Sequence, residues 1–96
     1  MIKHIVFLKF QPEAGPNQRQ EVIDELRALP AKIDVIREYE VGVDVLKSPR
    51  SWDVALIGTY DTLEALQTYN DHPAHVAVVQ KIRKISEGAA SVDFEY

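Results

Sequence analysis

Ile2-Lys3-His4-Ile5-Val6-Phe7-Leu8-Lys9-Phe10 opens the chain and decides its architecture. β-Branched and aromatic residues fill the run, which reads as a strand that begins almost at once. Successive side chains of a strand point to opposite faces. Ile5 and Phe7 go one way, and Ile2, Val6, Leu8 and Phe10 the other. Both faces are therefore apolar, and the sheet this strand belongs to must be covered twice.

The rest of the chain supplies one cover. Turn residues from Gln11 to Pro16 lead into a helix, with Pro16 suited to a first helical position. Val22, Ile23, Leu26 and Leu29 follow at helical spacing, and Pro30 marks its approximate end. Residues 36–45 return to strand character, with Arg37, Tyr39, Val41, Val43 and Val45 on one side. After the turn at 46–51 a third strand runs from Trp52 to Tyr60, where Trp52, Val54, Leu56 and Tyr60 oppose Ala55 and Ile57. Asp61 and Glu64 are spaced as a capping box for a short helix carrying Leu63, Leu66 and Tyr69. Asn70-Asp71-His72-Pro73 breaks it, and Pro73 begins a second segment with Val76, Val79 and Ile82 on one stripe. Gly88 suits the residue past the helix end, and Ser91 to Tyr96 form a last strand.

The order β-α-β-β-α-β predicts an α+β, ferredoxin-like subunit, an antiparallel sheet with helices on one face. The uncovered face of such a layer is normally polar. Here strands one and three make it apolar, and a second copy packed sheet on sheet is the economical cover. The expected assembly is a homodimer, a dimeric α/β barrel, which a charge at Leu8 or Leu56 is expected to disrupt.

Composition narrows the function. Ninety-six residues, 46% hydrophobic and 27% charged, make one domain over 1–96 and exclude disordered and low-complexity classes. Lys and Arg number 11 against 15 Asp and Glu, so the basic field of a nucleic-acid binder is missing. Its one basic cluster, Lys81 to Lys84, sits where a helix ends and complements the helix dipole. There is no cysteine, hence no disulfide, thiolate nucleophile or thiolate-bound zinc. No apolar run approaches the roughly 18 residues of a membrane span. The N-terminus is too short and too charged for a signal peptide, so a cytoplasmic location is expected.

Chemistry concentrates in Tyr69-Asn70-Asp71-His72-Pro73-Ala74-His75-Val76 and in His4. Residues three apart at a helix start share a face, so Tyr69, His72 and His75 can converge if the break at Pro73 is slight. His72, just before Pro73, equally suits a capping role, and a half-buried histidine is often a packing residue. A metal reading of His4, His72 and His75 has only Asp71 as fourth ligand. We expect no metal and no cofactor. Glu38, Glu40 and Asp44 read as a solvated edge rather than an acid–base pair.

The Lys3-His4 opening and the Tyr69 to Val76 string together resemble the stress-responsive dimeric α/β-barrel (Dabb) family, with the intervening elements in the same order. The resemblance implies a ferredoxin-like subunit in a homodimer. Within the family, polyketide cyclases of the olivetolic acid type imply His75 as general base and Tyr69 as its assistant, with His4 in the pocket. His4 and His72 are the candidate substrate-binding residues. That branch carries a further pocket histidine where this chain has Val54, so its substrate does not carry over. Three functions stay open: a binder of a small apolar or aromatic molecule with cofactor-free cyclase or isomerase chemistry, a non-enzymatic stress or assembly protein, and a cofactor-free monooxygenase. If the site is functional, His75→Ala is expected to remove turnover or binding at little cost in stability. His72→Ala is expected to destabilise.

Overall fold

The computed structural model describes residues 1–96. Strand β1 spans Ile2–Phe10, helix α1 Pro16–Ala28, β2 Glu38–Val43, β3 Val54–Tyr60, α2 Leu63–Asp71, α3 Pro73–Ile85 and β4 Ser86–Glu95, with a 3₁₀ turn at Leu29–Ala31 after α1. The sheet order is β2-β3-β1-β4, and every neighbouring pair is antiparallel. This is the ferredoxin-like arrangement, with both helical crossovers on one face of the sheet. No helix is long and apolar enough to cross a membrane.

Local signals set most of the boundaries. Pro16 is the first residue of α1, and the Gln18 side-chain oxygen accepts from the Gly15 amide at 2.9 Å. The buried stripe of α1 is Val22, Ile23 and Leu26, as its spacing requires. Three expectations are corrected. Thr62, not Asp61, caps α2, its hydroxyl accepting from the Ala65 amide at 3.1 Å. Asp61 is instead held bidentately by Arg37, through Nη2 at 2.6 Å and Nε at 3.0 Å. Gly88 does not end a helix: α3 stops at Ile85, Ser86 turns extended, and β4 starts at once because Ser86 pairs with Phe10 and Gly88 with Lys9. On α3 the inner face carries His75, Val78, Val79 and Ile82, while Val76 is exposed.

Register sorts the strand residues. Ile2, His4, Val6 and Leu8 stand opposite Tyr60, Gly58, Leu56 and Val54, and all belong to the helix-covered face. Leu8 and Leu56 are 4% and 3% exposed within the subunit's own core, packed beneath the helices. They are not on the free face, contrary to the assignment from alternation alone. The apolar part of that face is Ile5 and Phe7, flanked by Ala55 and Ile57 on β3 and by Val92 and Phe94 on β4, with Lys3, Glu38 and Glu40 toward one end. Val92 and Phe94 are 57% and 43% exposed, and the Phe7 ring lies 6.4 Å from the exposed Trp52 ring. An apolar sheet face is thus left bare in the subunit, as the two-faced pattern of β1 requires.

Candidate active site

The site grows out of the junction between α2 and α3. Proline disfavours helical backbone at the residue before it, and His72 accordingly sits at φ −64° and ψ 134°. It ends α2 and caps α3 together: its Nδ1 accepts from the Ala74 amide at 3.1 Å. Three residues on, His75 turns back toward α2, and its Nδ1 lies 3.0 Å from the Asn70 carbonyl oxygen. A carbonyl only accepts, so Nδ1 carries the proton and Nε2 holds the lone pair. Burial holds the His75 pKa below the ordinary imidazole value, with the nearby His4 and His72 adding to that effect. His75 is thus biased toward its neutral form.

Tyr69 projects from α2 beside it, the rings 4.4 Å apart and the tyrosine 1% exposed. Its hydroxyl is 2.9 Å from that of Tyr39 on β2. Tyr60, at the end of β3, packs 5.2 Å from Tyr69, ring to ring, yet its buried hydroxyl closes no well-formed hydrogen bond. Burial raises the pKa of all three phenols, which therefore remain proton donors. Tyr60 leans over Gly58, where a Cβ would stand 2.8 Å from its hydroxyl oxygen. His4 enters from β1, its ring 6.1 Å from Tyr69 and its Nδ1 bonded to the Asp93 carboxylate of β4. The carboxylate fixes that ring and makes Nδ1 its protonated nitrogen.

Between sheet and helices lies a cavity of about 280 Å³. Its lining includes His4, Tyr69 and His75, the apolar Leu26, Leu56 and Val79, and, further along α3 and into β4, Arg83 and Ser86. Three of the four residues singled out in the sequence therefore meet in one place. The fourth, His72, does not line the cavity; its ring is taken up by the helix start. Val54 is a buried core residue outside the cavity wall. No group of three or more histidines and carboxylates is arranged to hold a metal ion. Sequence reasoning missed Tyr39, Tyr60 and Asp93. Asp93 had a legible signal only in part, as a polar residue on the side of its strand away from Val92 and Phe94.

Comparison with known proteins agrees with this architecture. A dimeric ferredoxin-like protein of unknown function from Bacteroides fragilis is 35% identical with a TM-score of 0.83, the match covering 99% of this chain and 95% of that one. A dimeric ferredoxin-like protein from Thermobifida fusca superposes with a TM-score of 0.90 at 28% identity, covering 99% and 90%. In sequence, olivetolic acid cyclase of Cannabis sativa is 27% identical over 95 residues, 97% of this chain and 94% of the cyclase. The stress responsive A/B barrel domain matches residues 2–96, and this chain belongs to that family.

Proposed function

We propose that the protein is a homodimeric, cofactor-free cyclase or isomerase acting on a small apolar or aromatic carbonyl compound. One observation carries the reading: the Asn70 carbonyl accepts from His75 Nδ1, which leaves the Nε2 lone pair free on a side chain that lines an apolar cavity. Nε2 would take a proton from a carbon next to the substrate carbonyl. The C–H bonding pair becomes a carbon–carbon π bond as the carbonyl π pair moves onto oxygen, where a hydrogen bond from the Tyr69 hydroxyl would stabilise the enolate. Reprotonation at another carbon gives isomerisation; attack of the enolate carbon on a second carbonyl gives ring closure. The Tyr39 hydroxyl, by donating to Tyr69, leaves the Tyr69 proton free for the substrate. A cavity of about 280 Å³ suits a single substituted ring, since an apolar hole of roughly 150 Å³ already holds benzene. Dimerisation is supported by the bare apolar sheet face and by the dimeric state described for the Bacteroides fragilis and Thermobifida fusca proteins.

A second reading, a non-enzymatic binding or assembly protein, is favoured by the mutual pairing of the Tyr39 and Tyr69 hydroxyls, which lets both act as packing groups. Deuterium uptake separates the two. With 1-phenylpropan-2-one in D₂O, the wild type should accelerate exchange at the benzylic carbon, and His75→Gln should lose that acceleration by roughly 10²- to 10⁴-fold. Equal rates for wild type, His75→Gln and buffer would remove the enzyme reading.

A further inference from the structure

Along α3 the cavity lining runs from His75 through the apolar Val79 to Arg83, and the chemistry proposed above uses only the His75 end. The other end is Arg83, on the last turn of α3, with Ser86 at the start of β4. Arg83 is an exposed residue of the cavity lining and forms no ion pair within the subunit. Several cations of the chain are engaged elsewhere, whereas Arg83, like Lys32, Lys47, Arg50 and Lys84, has no side-chain partner. Arg19 donates to the Ala14 and Gln11 carbonyls, Arg27 to the Val41 carbonyl, Arg37 to Asp61, and Lys81 to Glu21 and Glu25. The cavity wall itself contains no Asp or Glu. A guanidinium thus stands beside an apolar chamber with no counter-charge in that chamber.

We propose that the cavity selects an elongated apolar or aromatic molecule that ends in a carboxylate, with Arg83 holding the carboxylate while His75 and Tyr69 address a carbonyl at the far end. This rests on the cavity being a small-molecule site. His75, Val79 and Arg83 repeat every four residues on one helix face, so the two polar ends look into the same space. Eight residues at about 1.5 Å each separate them by roughly 12 Å along α3, which sets the length of ligand that touches both. Guanidinium matches a carboxylate through two parallel hydrogen bonds, and Ser86 adds a hydroxyl beside it. The net charge of −4 works against general attraction of anions, so preference for a carboxylate must arise locally.

Octanoate and octanamide make the test, being of equal chain length with charged and neutral heads. Calorimetric titration of the wild type should show octanoate bound about tenfold or more tightly than octanamide. Arg83→Gln should bring octanoate down to the octanamide affinity and leave octanamide unchanged, and Arg83→Lys should keep part of the preference. Equal binding of both probes by the wild type, or a preference that survives Arg83→Gln, overturns the assignment of Arg83 alone. Binding of neither probe overturns the cavity as a ligand site, and the proposed function with it.

Discussion

Removing single oxygen atoms from the three clustered tyrosines should have three different effects on stability. Tyr69 is 1% exposed and its hydroxyl has one partner, Tyr39, at 2.9 Å. Tyr39→Phe therefore removes the one protein partner of a hydroxyl on an almost wholly buried side chain, and a buried polar group left unpaired costs about 1–3 kcal/mol. Tyr69→Phe strands the Tyr39 hydroxyl instead, on a residue that is half-buried rather than fully buried, so a loss of about 0.5–1.5 kcal/mol is expected. The double replacement leaves no orphan. It should cost about 1 kcal/mol less than the two singles added, a coupling that a double-mutant cycle reads directly. Tyr60 is the contrast: it is 0% exposed and its hydroxyl already lacks a partner, so Tyr60→Phe should be neutral or stabilise by about 1 kcal/mol. Urea unfolding at one fixed protomer concentration measures all four variants, because a dimer's apparent stability depends on concentration. Additive losses for Tyr39 and Tyr69, together with a clear loss for Tyr60→Phe, would refute the arrangement of hydroxyls described above.

Three further outcomes follow from the same geometry. Phe7→Asp or Val92→Asp, on the bare sheet face, should give folded monomers in sedimentation where the wild type is a dimer at micromolar concentration, whereas Leu8→Asp, in the subunit core, should not fold; a stable wild-type monomer would end the dimer proposal. His72→Ala removes the acceptor for the Ala74 amide and should cost about 0.5–2 kcal/mol in thermal or urea unfolding, with His72→Asn recovering most of it; a neutral His72→Ala would show that the ring does not cap α3. Because the folded His75 pKa lies below its unfolded value, the unfolded chain binds the extra proton, so stability from this group is full above about pH 6.5 and declines as pH falls through the folded value. The urea midpoint of the wild type should then drop more between pH 7.5 and 5 than that of His75→Gln, and parallel drops would contradict a buried neutral His75.

What could be read from sequence was what local chemistry decides. β1 announced two apolar faces, Pro16 announced the start of α1, and Pro73 announced a break. Errors arose where a distant partner decided the outcome. Asp61 and Thr62 are adjacent cap formers, and only the pairing of Asp61 with Arg37, 24 residues away, assigns the cap to Thr62. Glu87-Gly88-Ala89-Ala90 has poor strand propensity, and it is a strand because β1 offers it an edge to pair with. The same limit applies to the site. His4, Tyr69 and His75 were legible as residue types near apolar segments. Asp93 required the register that places it opposite His4, and Tyr39 required knowledge that the Tyr69 side chain reaches from α2 to β2. Alternation alone also could not say which apolar face of β1 the helices would take, so Leu8 and Leu56 were assigned to the wrong side.

The break at Pro73 explains why two histidines three residues apart take opposite roles. In an unbroken helix the Ala74 amide would donate to the Asn70 carbonyl, four residues back. Proline forces His72 into extended backbone, and that hydrogen bond is not made. A donor and an acceptor are released together, both close to the core, and neither is easily left unpaired. His72 supplies an acceptor for the Ala74 amide through an unprotonated Nδ1. His75 supplies a donor for the Asn70 carbonyl through a protonated Nδ1. The two rings are thereby locked in opposite tautomers. In His72 the lone pair is spent on the helix, and in His75 it is turned away from the backbone. One proline thus ends a helix, starts the next, and sets which histidine retains a free base beside the cavity.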